Sequence, residues 1–242
     1  MDKNEVLKAL ELLHKSSKKR NFKQTIDLII NLKELDLKKP EENVNTFVVL
    51  PYDRGKESKL GALVGNELIS KAKGVFDEII QQKDFATLGK DKKKLKKLAK
   101  KTDFFIAQAN LMPQIAANFG RILGSMGKMP NPKAGCVVAP IADLKVLNEK
   151  LKKTVKVQTK NEPIIKIGVG LEDIGDDKLA ENIMVVYNLV LHSVPQEIQN
   201  IRNVMIKNTM GKPLVIGSKE EVKVEEPKEK KKKVKKNGKE KV

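Results

Sequence analysis

From Ile26 to Leu32 the chain alternates strictly: Ile26, Leu28, Ile30 and Leu32 fall on one side, and Asp27, Ile29 and Asn31 on the other. That is the period of a strand with one buried face, and Phe22 and Thr25 stand at its entrance. Upstream, Val6, Ala9, Leu10 and Leu13 recur at helical spacing, which predicts an amphipathic helix ending near the polar run 15–20. Residues 38–42 read as a loop, and 47–50 as a second strand stopped by Pro51. Beyond the polar connector 51–58 the pattern changes. Residues 59–64 read as extended, 66–73 and 90–101 as helical, 103–107 as extended, 112–123 as helical, 136–139 as extended and 141–152 as helical. Short strands alternating with helices are what a parallel or mixed sheet covered by helices requires.

The last third returns to longer strand patterns. Residues 155–159 and 164–169 flank Lys160-Asn161-Glu162-Pro163, a turn cluster suited to a hairpin. Residues 179–190 predict a mostly apolar helix, and Pro195 opens a short one. Residues 204–208 and 213–216 then flank a tight turn at Thr209-Met210-Gly211-Lys212. The flanking portions 1–58 and 153–217 are each too poor in strands to close a sheet, but together they can bury one. The expected organisation is therefore two domains: a discontinuous α+β domain from residues 1–58 and 153–217, and an inserted α/β domain from residues 59–152. Two crossings between them would act as a hinge. Residues 218–242 hold eleven lysines and six glutamates with almost no large apolar side chain, so they are expected to be a disordered tail.

Composition narrows the function. A net charge of +18 across 242 residues points to a polyanionic partner, and the tail accounts for only 5 of those charges. No apolar run reaches the roughly 18 residues of a spanning helix, and the first residues carry no signal-peptide core, so no membrane partner is expected. The single cysteine, Cys136, excludes an internal disulfide, and His14 and His192 read as ordinary helix residues. A reducing, cytoplasmic compartment follows. Asp173, Asp176 and Asp177 suit a capped helix start better than a cation site, so neither metal nor cofactor is expected. The eight lysines between Lys90 and Lys101 read as a solvated helix face.

Residues 120–135 contain four glycines, two prolines and Asn131, so neither helix nor strand can persist through their second half. Gly127-Lys128 is not a phosphate-gripping loop: the pattern needs glycine at Ile122 and serine or threonine at Met129. The run resembles the signature loop of the ribosomal protein L-one family, in its archaeal type, the protein that heads the mobile stalk beside the tRNA exit site. Its pattern, Arg-Ile-Leu-Gly followed by Gly-x-Met-Pro-Asn-Pro-Lys-x-Gly, is matched from Arg121 to Gly135, while Ser125-Met126 replace a usual Pro-Arg. The likeness extends over residues 18–217. It implies a discontinuous α+β domain carrying the main rRNA site and an inserted three-layer, Rossmann-like α/β domain.

The resemblance further implies RNA contacts at Asn21, Phe22 and Thr25 on the strand entrance, at Asn203, and at Thr209, Met210 and Gly211 on the turn. Lys160, Lys166 and Lys212 would add positioning charge. A threonine hydroxyl can bond ribose, and glycine lets an RNA backbone approach the main chain. The implied function is noncatalytic: a constituent of the large ribosomal subunit, monomeric outside the ribosome. It would bind large-subunit rRNA, assist release of deacylated tRNA from the exit site and repress translation of its own mRNA. The rival reading is a nucleotide-binding α/β enzyme. It rests on the insert alone, since Gly168-Val169-Gly170 begins no G-x-G-x-x-G pattern.

Overall fold

The period-two stretch forms β1 (Thr25–Leu32), in which every second residue is buried. The computed structural model describes residues 1–18, 20–36, 38–39, 42–139 and 143–217. Within them β1 lies between β8 (Ile164–Leu171) and β9 (Ile201–Asn208), antiparallel to both, and β10 (Leu214–Val215) extends the sheet beyond β9. Two helices cover its inner face. Val6, Leu10 and Leu13 of α1 (Lys3–Ser16) and Leu179, Ile183, Val186 and Val190 of α7 (Asp176–Ser193) join Ile26, Leu28 and Ile30 in one apolar cluster. Each such side chain contributes about 1.5–3 kcal/mol by leaving water. At the rim, His14 Nε2 lies 3.0 Å from Asp176 Oδ1 and ties the two helices together.

β2 (Asn45–Val49) and β7 (Thr154–Gln158) form a separate antiparallel pair whose Val48, Val155 and Val157 close the same cluster. The expected hairpin across residues 160–163 is therefore corrected: β7 pairs with β2, and β8 with β1. Local turn chemistry marks where a chain reverses, but it does not choose a partner. The ladder from Thr25 to Asn31 against β8 aligns two long alternating strands on one core, which a short local hairpin would forgo.

Residues 60–151 build two further clusters on the two faces of a parallel sheet ordered β4-β3-β5-β6: β3 (Leu60–Val64), β4 (Glu78–Gln81), β5 (Phe104–Gln108) and β6 (Val137–Val138). All five residues of β3 are buried, as a strand covered on both faces demands. Leu60, Ala62, Val64 and Ile106 meet α2 (Ile69–Ala72) and α6 (Leu144–Lys153). On the other face Leu63, Phe105 and Ala107 meet α3 (Phe85–Lys90), α4 (Lys92–Lys101) and α5 (Met112–Ser125). The whole is a mixture of sheets and helices.

Two elements here escape the sequence pattern, β4 and α3, because each is too short to show a period. The expected helix 66–73 shrinks to α2, which Gly74, at φ +84°, follows closely. In α4, Asp91 accepts from Lys94 N at 3.2 Å and caps a helix without an acidic residue. Its pairs Lys92–Lys96, Lys93–Lys97, Lys96–Lys100 and Lys97–Lys101 are like-charged at i,i+4, each destabilising by about 0.2–0.5 kcal/mol. Burial of Leu95 and Ala99 must hold it in place.

The glycine-proline run behaves as its composition requires. After α5, Gly127 takes φ +64°, residues Pro132–Ala134 make a 3-10 turn, and Gly135 ends it at φ +73°. Burial pushes the adjacent Cys136 thiol up to about 11, so it is a packed and unreactive group. The aspartate reading is also corrected. Gly175, at φ +97°, precedes α7 with no side-chain cap, and Asp176 and Asp177 sit in its first turn, where the helix dipole favours them. Asp173 instead pairs with Lys23 at 2.6 Å. Gly170 has a packing role, since a Cβ there would stand 2.6 Å from Leu179 Cδ2. The expected tail 218–242, Pro40 and Glu41 of the loop 38–42 and the start of the 141–152 helix lie outside the described residues.

Candidate nucleic-acid interface

The face of the β10-β9-β1-β8 sheet turned away from α1 and α7 follows directly from the alternation of β1. Thr25, Asp27, Ile29 and Asn31 point outward, opposite Gly168 and Lys166 of β8 and Lys207, Met205 and Asn203 of β9. At one end Thr209 joins the sheet. Its amide and its hydroxyl both donate to the Thr25 carbonyl at 3.0 Å, and its hydroxyl accepts from Thr25 N at 3.2 Å. A hydroxyl has one donor and two acceptor sites, so one lone pair of Thr209 Oγ1 is left for an outside donor such as a ribose hydroxyl.

The turn beyond is fastened from both sides. Gly211 N donates to Asn208 O at 2.8 Å, and Met210 N donates to Gln24 Oε1 at 3.3 Å. Gln24 is itself buried and bonded through its backbone to Glu172. Phe22 and Met210, 53% and 63% exposed, stand on the two segments that meet here, and both are large apolar side chains in solvent. Such exposure excludes a core-anchoring role for Phe22.

The candidate residues are only partly brought together. Thr25, Thr209, Met210 and Gly211 share the fastened end, with Asn21 and Phe22 leading into it and Lys212 leading out. Lys166 lies mid-sheet opposite Ile29, its Nζ 3.9 Å from Glu162 Oε2. Asn203 sits at the far end, about 20 Å along β1 at a strand's usual rise. There its Oδ1 accepts from Asn31 Nδ2 at 2.6 Å. Lys160 lies on no strand of this sheet. It follows β7, close enough to Lys156 to lower that ammonium's pKa, after burial, the larger cause.

Asp27, Asn31, Gly168 and Lys207 share this outer face and Gln24 lies buried beneath its fastened end, and none of them was among the expected contacts. The period-two pattern that located β1 also places Asp27 and Asn31; for Gln24 the sequence carries no signal. Burial raises the Asp27 carboxyl above its usual range, only partly offset by Lys207 across the ladder. A raised carboxylate pKa means the folded chain holds the proton more tightly, so this contribution to stability is full below the ordinary value near 4 and is lost as pH rises through the folded value. Asp27→Asn is therefore expected to raise the unfolding midpoint at pH 7 and to lose that advantage at pH 3. An equal difference at both pH values would show that the carboxylate is not the cause.

Comparison with known proteins bears on the whole of this face. The model of the ribosomal protein L1p/L10e family matches residues 13–212. The chain belongs to that family. It is 42% identical over 216 residues to large ribosomal subunit protein uL1 of Methanothermococcus thermolithotrophicus, covering 89% of this chain and 99% of that protein. With the uL1 protein of Methanobrevibacter smithii it shares 43% over 212 residues, 87% of this chain and 97% of the relative. With that of Methanocaldococcus jannaschii it shares 40% over 223 residues, 92% and 99%. These relatives make it an L1p/L10e member of archaeal type. The family match ends at Lys212, the last residue of the turn, so it includes β1, β8, β9 and the Thr25–Thr209 junction.

Proposed function

We propose that the chain is a noncatalytic constituent of the large ribosomal subunit in the cytoplasm, and that the outer face of β1, β8 and β9 binds large-subunit rRNA at the mobile stalk. The observation that carries the reading is the fastened sheet end. A hydroxyl with one free lone pair, a glycine turn and two exposed apolar side chains are set on a rigid support, as shape-selective RNA binding needs. Neutral groups do the selecting, while Lys166, Lys207 and Lys212 position the phosphates. The cores built from residues 6–50 with 155–206 and from residues 60–151 then serve as two domains joined by two crossings, a rRNA anchor and a lobe that follows exit-site tRNA. Outside the ribosome the chain would be a monomer. Repression of its own mRNA would use the same face, through an RNA that copies the rRNA site.

The competing enzyme reading gains nothing from Gly168 and Gly170. Gly170 makes room for Leu179, and Gly168 lies on the open sheet face beside Thr25. The test is competition. A labelled stalk rRNA fragment bound to the full chain in about 0.2 M salt, where unspecific affinity has fallen by orders of magnitude, is expected to resist excess duplex DNA and to yield to unlabelled fragment. Equal displacement by both would leave only a charge-driven binder.

A further inference from the structure

We propose that the lysine face of α4 is a second RNA contact, one that holds the phosphate backbone of a base-paired RNA segment other than the one seated on β1. It rests on the RNA-binding reading above but uses a different core. Seven of the ten residues of α4 are lysines, and all seven are exposed. At 100° per residue, Lys93, Lys97 and Lys100 lie on the side opposite the buried Leu95 and Ala99, and Lys96 flanks them. Lys94 pairs with Asp91 at 3.2 Å; among the described residues the other six make no ion pair.

A merely solvated helix mixes its charges, because alternating signs stabilise it. This one departs from that rule twice. Three lysines occupy the first turn, where the positive end of the helix dipole repels them, and the N-cap Asp91, which pairs with Lys94, is the one acid beside them. The four like-charged i,i+4 pairs add repulsion along the outer face. Both departures make α4 harder to form, and both are relieved when a polyanion settles on the face.

The occupant follows from geometry and residue type. The row from Lys93 to Lys100 rises about 10 Å, enough to face several phosphates of a duplex, whose two strands present a charge about every 1.7 Å. Lysines are point charges without the planar fork that reads bases, so the contact selects phosphate and not sequence. α4 packs with α3 and α5 on one side of the parallel sheet, whereas Phe47 of β2 packs against the cluster that holds α6 on the other. The face thus belongs to a different core from the sheet of β1, and two RNA segments can be held at once.

The test uses the full chain carrying K93Q/K96Q/K97Q/K100Q, with K8Q/K71Q/K83Q/K145Q as an equal charge loss on exposed lysines elsewhere. Binding is measured by anisotropy across a salt series, to an RNA hairpin of unrelated sequence and to the stalk rRNA fragment. For the unrelated hairpin the α4 variant is expected to flatten the slope of log K against log salt by about 3 units and to lose at least tenfold in affinity at low salt. The stalk fragment should bind within about twofold of the unaltered chain, and the unfolding midpoint should hold or rise. An unchanged slope, an equal loss from the control variant, or an equal loss on both RNAs would each overturn the proposal. If the fourfold variant fails to fold, K97Q/K100Q reads the same slope at half the size. A failure of the stalk rRNA reading shows in the competition experiment and leaves this one readable.

Discussion

Thr209→Val is expected to weaken binding of the stalk rRNA fragment by about 1–3 kcal/mol, roughly 5- to 150-fold. Valine keeps the shape and strand preference of threonine, so the change isolates the hydroxyl. That hydroxyl spends its proton on the Thr25 carbonyl and one lone pair on Thr25 N, which leaves it an acceptor toward RNA. Its loss would remove the proposed RNA contact and loosen the junction that presents Phe22 and Met210. The internal bonds also predict a stability cost of about 0.5–1.5 kcal/mol, small because this end of the sheet is exposed. Thr209→Ser, which keeps the oxygen, should recover most of the affinity. Equal affinity of the Val variant and the unaltered chain in titration calorimetry would remove Thr209 from the interface.

Asn182→Leu is expected to destabilise the chain by about 2–4 kcal/mol, because it strips partners from backbone groups that water reaches poorly. Asn182 lies on α7, fully buried, where its Oδ1 accepts from Tyr52 N at 3.1 Å. Its Nδ2 donates to Val169 O at 3.1 Å and to Tyr52 O at 3.3 Å. One amide thus pins the connector that leaves β2 to both helix and sheet. A lower urea midpoint at unchanged m is the expected signature, with stalk RNA affinity intact well below the midpoint. A loss under about 1 kcal/mol would mean that the freed groups find other partners.

Much of the strand at the proposed RNA face was legible in the chain. Alternation at Ile26, Leu28, Ile30 and Leu32 located β1 and its open side, and helical spacing located α1 and α7. The limit lay in what touches what. Thr209 and Thr25 are 184 residues apart, and nothing near either states that one hydroxyl closes the ladder of the other. Gln24 reads as one more polar residue before a strand, yet it is buried and holds Met210. Lys160 and Lys166 look alike in the chain, but Lys160 follows β7, which took β2 as its partner, whereas Lys166 lies on β8 opposite Ile29.

Local periodicity and the glycine-proline run 120–135 determined which segments are strand, helix or loop, since those depend on residues a few positions apart. The irregular motif from Arg121 to Gly135 determined the family. Strand partners, register and the set of side chains that share one face were decided only in three dimensions. Antiparallel pairing is chosen by which buried faces fit together, and that choice is made between residues more than a hundred positions apart in the chain.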